Sequence, residues 1–284
     1  MKKLLLFVAA VLTSATINAQ NWEAAPVSSG FNFDAICESP EAAPTQRGPL
    51  DTHGSQLVTQ DVFGASYYLP SDGNITTDSE HPYKFASYSA NNCLVMTKST
   101  AYPTDVECTE GTLTLTTPVQ ANSLAFLFVT ANKENYDMKF SVTPIYTDNS
   151  EGTAQEYSLS QDWGQNPSNK VYTCNRWRVT AGTNPEGFQG ALQEESFSLD
   201  SSKTLKAVKF TYKSDTEDAW GWHYINIFAL SVEKNTTGIN DVTVDGNNTI
   251  EGVYTIDGRQ VSEAQHGVNV VKMSNGKAKK VIKK

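Results

Sequence analysis

Long apolar segments and helix-forming runs are scarce in this chain of 284 residues. Beyond the N-terminal leader, no stretch matches the roughly 20 apolar residues that a membrane-crossing helix needs. Runs of Ala, Leu, Glu and Lys at helical spacing are also missing there. These absences argue against a helical membrane protein, and an all-β fold is the prediction.

Motifs that would name a catalytic reaction are missing as well. The histidines form no HExxH pair, no G-x-S-x-G turn presents a serine nucleophile, and no glycine-rich phosphate loop is visible. Cys174 has no evident partner histidine. The adjacent carboxylates Glu194 and Glu195 are predicted to point to opposite faces of a strand. These residues therefore give no support to the hypothesis that the protein is an enzyme.

Cysteines are few and widely spaced. Cys37, Cys93, Cys108 and Cys174 could form two disulfides in three connectivities, and their spacing is unlike that of a zinc site. Cys93 and Cys108 enclose a short loop and are the first predicted pair. Buried free thiols are the alternative.

The N-terminus has the pattern of a cleavable secretion signal. Lys2 and Lys3 precede an apolar run from Leu4 to Leu12, and Ala19 supplies the small residue before a polar segment that begins at Gln20. No cysteine sits at this cleavage point, so a lipid anchor is not expected. We predict a signal peptide over residues 1–19 and a secreted or cell-surface protein.

Charge is unevenly distributed along the chain. Six lysines and no acidic residue lie between His266 and Lys284, and two more lysines lie in the leader. Without these eight, 14 basic residues face 31 acidic ones, so the remainder carries a net charge of about −17. Such a chain repels nucleic acids and anionic lipids. The negative charge is compatible with the binding of a calcium ion. It is also explained if acidic residues simply keep the protein soluble.

The middle of the chain reads as short strands separated by Gly, Pro, Asn and Asp turns. Thr112 to Thr117 alternates strictly, whereas Ser123 to Val129 is nearly continuous in apolar residues, as in a strand buried on both faces. Pro144 places its strand at an edge or a bulge. The segments Leu205–Tyr212 and Tyr224–Val232 are further strands. This pattern of short strands separated by turns favours a β-sandwich or barrel.

Three segments resemble the galactose-binding-like jelly rolls. These are DTHG at Asp51 to Gly54, YSANN at Tyr88 to Asn92, and WGWHYINIFALSV ending at Val232. The resemblance covers roughly residues 21–233 and lies in the architecture and the pattern of the strands. It implies a jelly-roll β-sandwich, a fold that often carries a structural calcium ion.

The C-terminal residues resemble the sorting domains of type IX secretion in the Bacteroidetes. The two matching elements are GVYTIDGRQV at Gly252 to Val261 and HGVNVVKM at His266 to Met273, followed by a lysine-rich end. The resemblance implies a small β-sandwich-like module that engages the secretion machinery. Independently, Asp257-Gly258 predicts a two-residue hairpin turn between strands. The predicted divisions are 1–19, 20–234 and 235–284.

Aromatic residues near turns give the best indication of a ligand site. Sugar rings stack their C–H faces on aromatic side chains, while amides and carboxylates bind the hydroxyls. We interpret the chain as a non-catalytic exported protein that binds a glycan or another surface polymer. The alternatives are a structural or adhesive envelope protein without a small ligand, and a glycan-acting enzyme. The predicted ligand-binding residues are Trp220, Trp222, His223, Tyr88, Asn91 and Asn92.

Overall fold

The computed structural model is almost entirely β-structure, as the sequence predicts, and its single helix in the described residues is α1 (Gln60–Phe63). The described residues are 22–39, 48–51, 54–63, 68–98, 107–131, 137–164, 166–178, 186–214, 223–234, 250–274 and 278–283. The strands are β1 (Trp22–Ala24), β2 (Val27–Ser29), β3 (Ile36–Cys37), β4 (Ser55–Val58), β5 (Asn74–Thr76), β6 (Pro82–Lys84), β7 (Leu94–Met96), β8 (Glu110–Ala131), β9 (Met138–Tyr146), β10 (Gln155–Leu159), β11 (Lys170–Arg178), β12 (Glu186–Ser198), β13 (Thr204–Tyr212), β14 (Tyr224–Lys234), β15 (Ile250–Thr255), β16 (Gln260–Val261), β17 (Gly267–Met273) and β18 (Ala278–Lys283).

One long strand, β8, joins two packed sheets. Its first half pairs with β13 and β2 in the outer sheet, which has the order β10-β9-β13-β8-β2. Its second half pairs with β12 and β14 in the central sheet, which has the order β3-β4-β11-β12-β8-β14. Both β1 and β7 pair with the free edge of β14. The β-sandwich predicted from the strand pattern is therefore present.

The outer and central sheets enclose an aromatic core. Phe126 of β8 lies 5.5 Å from Phe210 and 6.0 Å from Phe140, ring centroid to ring centroid, in edge-to-face contacts with both. Both partners belong to strands of the outer sheet and are fully buried. Edge-to-face aromatic pairs add stabilisation beyond the area that they bury. This core fixes the two sheets against each other.

The opposite face of the central sheet is covered by residues 68–93, which we call the cover segment. Its hairpin of β5 and β6 places Tyr83 and Phe85 against the sheet, where they join Leu127 and Phe228 in a second buried cluster. Because both faces are covered, residues 124–129 are fully buried without exception. The continuous apolar run of Ser123 to Val129 reflects this double burial, as predicted.

Pro144 lies where the ladder of β9 can accommodate it. Strand β10 pairs with β9 only from Met138 to Val142, so it ends before the proline. On the other side, Val208 of β13 faces Pro144, and the register of β13 shifts just before it, between Leu205 and Ala207. A missing N–H donor is tolerated at such a position.

The last described residues form a separate four-stranded sheet with the order β16-β15-β17-β18. It is one sheet in the part of the chain that the structure describes. The hairpin at Asp257-Gly258 is present, but its loop has three residues, Ile256 to Gly258, because Thr255 donates its N–H to the Arg259 carbonyl at 2.9 Å. Gly258 has a φ of 83°, which suits the last position of a three-residue loop.

Among the described residues, no helix is long and apolar enough to span a membrane. The predicted signal peptide, residues 1–19, lies outside the described residues.

Candidate functional site

Four of the six predicted ligand-binding residues lie in the part of the chain that the structure describes. Trp220 and Trp222 lie outside the described residues. His223 is buried immediately before β14. Tyr88 and Asn92 are buried in the cover segment, and Asn91 between them is exposed. The structure therefore brings Tyr88, Asn91 and Asn92 together on one loop, as their proximity in sequence requires.

Asn92 is occupied by contacts within the protein. Its side-chain oxygen accepts a hydrogen bond from the Ala35 N–H at 2.9 Å. Its amide nitrogen donates to Asp34 Oδ1 at 2.7 Å and to the Ala90 carbonyl at 3.0 Å. Because the amide is buried and engaged on both sides, Asn92 shapes the loop and offers no group to a ligand.

An open cleft of about 510 Å³ lies beside this loop. Its volume is within the usual range for small-molecule sites. Residues from the segment after β3, helix α1, the turn before β5 and the end of β6 approach one another here. The lining residues are Glu38, Asp61, Ser71, Asp72, Gly73, Lys84, Phe85, Ala86, Ser87, Tyr88 and Ser89.

The floor of the cleft is aromatic and rests on the core. The rings of Phe85 and Tyr88 lie 6.1 Å apart, and Phe85 is 6.1 Å from Phe228 of β14. The Tyr88 hydroxyl donates to the Pro70 carbonyl at 3.0 Å, and burial raises the pKa of this phenol well above its ordinary value. Tyr88 is therefore a neutral phenol that is held in place beside the cleft.

The rim of the cleft is polar and tightly held. Asp72 accepts hydrogen bonds from the backbone N–H and the side-chain amide of Asn74, both at 3.0 Å. These bonds lower the pKa of the Asp72 carboxyl, which stays ionised. Lys84 donates to the Asp72 carbonyl, and Gln60 donates to the Ser71 hydroxyl at 3.0 Å. The rim thus offers hydroxyls, a carboxylate and an ammonium at fixed positions.

The net charge of the cleft is negative, since three carboxylates line it against one lysine. The carboxylates are Glu38, Asp61 and Asp72. An anionic ligand would meet repulsion here, whereas a neutral polar ligand would not.

A buried polar cluster lies between the cover segment and the central sheet, and sequence reasoning missed it. Nδ1 of His81 is 3.0 Å from Oε1 of Glu194, and both side chains are less than a tenth exposed. The Tyr83 hydroxyl donates to the other Glu194 oxygen at 2.7 Å. The Trp22 ring lies 3.8 Å from the His81 ring. His81 and Glu194 are 113 positions apart in sequence, and no short-range pattern links them.

Opposing effects set the pKa of Glu194. Burial raises this pKa, but the hydrogen bonds from His81 and Tyr83 together lower it by more. The net pKa of Glu194 is therefore below its ordinary value. Burial, together with the same carboxylate, raises the pKa of Tyr83 well above normal. The cluster thus combines an ionised carboxylate with a neutral phenol. Its contacts attach the β5–β6 hairpin to β12.

The predicted Cys93–Cys108 disulfide is not formed, and all four cysteines are free thiols. The backbone of Cys108 pairs with Thr97, four residues beyond Cys93. In extended chain that separation is about 13 Å, well beyond the roughly 7 Å limit between bridged Cα atoms. Cys93 is fully buried and Cys108 is partly exposed, which fits the free-thiol alternative.

Within the described residues, no group of three or more His, Cys, Asp or Glu side chains could hold a metal ion. The calcium ion implied by the jelly-roll resemblance stays a prediction.

No protein-family model and no curated protein matches the chain.

Some of the solved structures with a likeness to this chain are enzymes or catalytic domains. One is the Agl-KA catalytic domain, at 11% identity and a TM-score of 0.25, which covers 50% of this chain and 23% of that one. A GH87 alpha-1,3-glucanase catalytic domain in complex with tetrasaccharides has 15% identity, a TM-score of 0.24 and coverages of 47% and 21%. A Bacillus licheniformis beta-glucanase has 10% identity, a TM-score of 0.23 and coverages of 78% and 95%. The chain spans less than a quarter of the first two. At these scores the likenesses support no statement about fold or activity.

Proposed function

We propose that this protein binds a neutral glycan without catalysis, and that the cleft beside Tyr88 is its site. The observation behind the proposal is the combination of an aromatic floor, Phe85 and Tyr88, with a rim of hydroxyls, carboxylates and one ammonium. Sugars need this combination, since their rings have apolar C–H faces and their edges have hydroxyls. The negative net charge of the cleft favours uncharged sugars over acidic ones.

The wider setting is also a proposal. Residues 20–234 are proposed as a galactose-binding-like jelly roll, and residues 235–284 as a linker and a type IX sorting-like module. The antiparallel sheets and the hairpin at Asp257-Gly258 agree with both. The signal over residues 1–19 implies a secreted or cell-surface location with the secretion machinery as a partner. Mass spectrometry of exported protein should find Gln20 as the first residue, whereas an intact N-terminus would remove the basis for export.

Glycan binding is tested with an array and then by titration of the strongest neutral glycan. Asp72→Asn retains the shape of the rim but removes its held carboxylate, so we expect affinity to fall about tenfold. Asp78→Asn is the matched control, because Asp78 is exposed in the same segment and does not line the cleft. Equal loss in both variants, or no change in either, would count against this cleft.

A structural or adhesive role without a small ligand is the second candidate, and the burial of aromatic residues favours it. Trp163, Tyr83 and Tyr224 are among the largest fully buried side chains. Within the described residues, the large hydrophobic side chains that are exposed are all isoleucines, so no exposed aromatic platform occurs there. Absence of binding to every glycan on the array would favour this role.

A further inference from the structure

We propose a second ligand site, for a single uncharged sugar unit, at the edge of the sandwich beside Glu195. A depression of about 300 Å³ lies between β12 and the chain that follows β10. This volume is at the lower end of the range for small-molecule sites, so it suits one ring rather than an extended chain. The lining residues are Ser158, Leu159, Ser160, Gln161, Ser168, Asn169, Gln193 and Glu195.

A relay of side-chain amides holds the Glu195 carboxylate in place. Gln193 is fully buried, and its oxygen accepts from both the N–H and the hydroxyl of Thr130 at 2.9 Å. The Gln193 amide donates to Asn169 Oδ1 at 3.1 Å, and the Asn169 amide donates to Glu195 Oε1 at 3.0 Å. Each acceptor in this relay orients the next donor, so the carboxylate is positioned before any ligand arrives.

The far wall of the depression is fixed as well. Gln161 Oε1 accepts the Ser168 N–H at 2.6 Å, which ties the two ends of the loop together. The Gln161 carbonyl oxygen lies 2.8 Å from the Thr130 hydroxyl oxygen and shares the single hydroxyl proton with Gln193 Oε1, which anchors the loop to β8. A preformed pocket binds with less loss of conformational entropy than a mobile loop.

Several polar groups remain open to a ligand. Across the described ranges, Glu195 Oε2, the Gln161 amide nitrogen and three serine hydroxyls have no hydrogen-bond partner in the protein. The hydroxyls belong to Ser158, Ser160 and Ser168. Together they can both donate to and accept from neighbouring hydroxyls, which a sugar ring presents along its edge.

The charge of the depression also limits which ligands can bind there. Glu195 is its single ionisable lining group, and no lysine, arginine or histidine of the described chain lines it. An acidic sugar or a phosphate would meet an uncompensated carboxylate. A neutral ring can donate hydroxyl hydrogen bonds to Glu195 Oε2, and bonds to a charged acceptor are the stronger kind.

This site does not depend on the cleft beside Tyr88. Glu195 lies on the face of the central sheet towards Tyr157 of the outer sheet, whereas Glu194 contacts the cover segment. The two sites therefore lie on opposite sides of the central sheet. A protein with both sites can hold a glycan in the cleft and a single sugar unit in the depression at once, which raises avidity for a surface polymer.

Amide-resolved NMR titration can locate this second site. The probes are neutral tetrasaccharides of glucose, mannose and galactose, and a sialylated oligosaccharide serves as the charged comparison. With ¹⁵N-labelled mature protein, we expect saturable shifts at the amides of residues 158–161, 168, 169 and 193–195 with at least one neutral probe. The sialylated probe should leave these amides unchanged.

Glu195→Gln is the decisive variant, since it retains the shape and removes the charge. We expect the affinity at these amides to fall at least about tenfold. Glu156→Gln is the matched control on β10, because its exposed carboxylate pairs with Lys213 outside the depression, and it should bind normally. Absence of shifts at 158–169 with every neutral probe, or full affinity in Glu195→Gln, would overturn the proposal. Shifts confined to residues 71–73 and 84–89 would support the cleft alone and overturn the second site.

Discussion

Glu194 and Glu195 are neighbours on β12, and their carboxylates lie on opposite faces of the central sheet. Glu194 is enclosed with His81 and Tyr83 beneath the cover segment, whereas Glu195 accepts a bond from Asn169 at a solvent-accessible depression. The alternation of a β-strand imposes this separation. One residue consequently stabilises the fold, and the next is free to meet a ligand.

The buried contacts of Glu194 with His81 and Tyr83 predict that the stability of the protein depends on pH. The pKa of Glu194 is lower in the folded protein than its ordinary value of 4.5, so its contribution is present above about pH 4.5 and is lost as pH falls through the folded pKa. Glu194→Gln should lower the free energy of unfolding at pH 7 by about 2–3 kcal/mol, because His81 and Tyr83 lose a charged hydrogen-bond acceptor. It should also remove this part of the acid sensitivity. Urea unfolding from pH 3 to 7 measures both effects.

Glu195→Gln is the control for that experiment, since it makes the same chemical change at the adjacent position. We expect it to alter stability by less than about 0.5 kcal/mol. An equal loss in both variants would mean that the contacts of Glu194 with His81 and Tyr83 contribute nothing specific.

Asn92 and Asn91 give a second adjacent pair. Asn92→Ala leaves the Ala35 N–H, the Asp34 carboxylate and the Ala90 carbonyl without their partner, so the free energy of unfolding should fall by about 2–3 kcal/mol. Asn91→Ala alters an exposed side chain and should stay within about 0.5 kcal/mol. Thermal and urea unfolding of both variants test this. Equal stabilities would show that the Asn92 contacts are not important.

The free thiols predict a specific peptide map. Non-reducing digestion of freshly purified protein should give no peptide that links Cys93 to Cys108. Under native conditions both thiols should react slowly with an alkylating reagent, because burial raises their pKa values, and the fully buried Cys93 should be slower than Cys108. A Cys93–Cys108 crosslink in the native protein would contradict the pairing of Cys108 with Thr97.

Trp220 and Trp222 remain predicted ligand contacts and should be replaced one at a time by Ala. If one stacks on a sugar, its loss should abolish glycan binding and leave the melting temperature unchanged. A core tryptophan should instead cost roughly 3–5 kcal/mol of stability. Measuring binding and melting temperature on the same samples separates these outcomes, and destabilisation in both variants would remove these residues from the site.

Sequence by itself determined the elements whose signal is local. The alternation of Thr112 to Thr117, the continuous apolar run to Val129 and the turn at Asp257-Gly258 predicted strands, a doubly buried strand and a hairpin, because side-chain period and turn chemistry act over a few residues. The opposite orientation of Glu194 and Glu195 followed from the same rule.

Only the tertiary structure decided which distant residues meet. The pairing of His81 with Glu194, the burial of Asn92 and the separation of Cys93 from Cys108 depend on how the cover segment lies on the central sheet. No sequence pattern records that arrangement, since it results from the burial of apolar surface shared by many residues at once. The amide relay that ends at Glu195 likewise joins β8, β12 and a loop that are far apart in the chain.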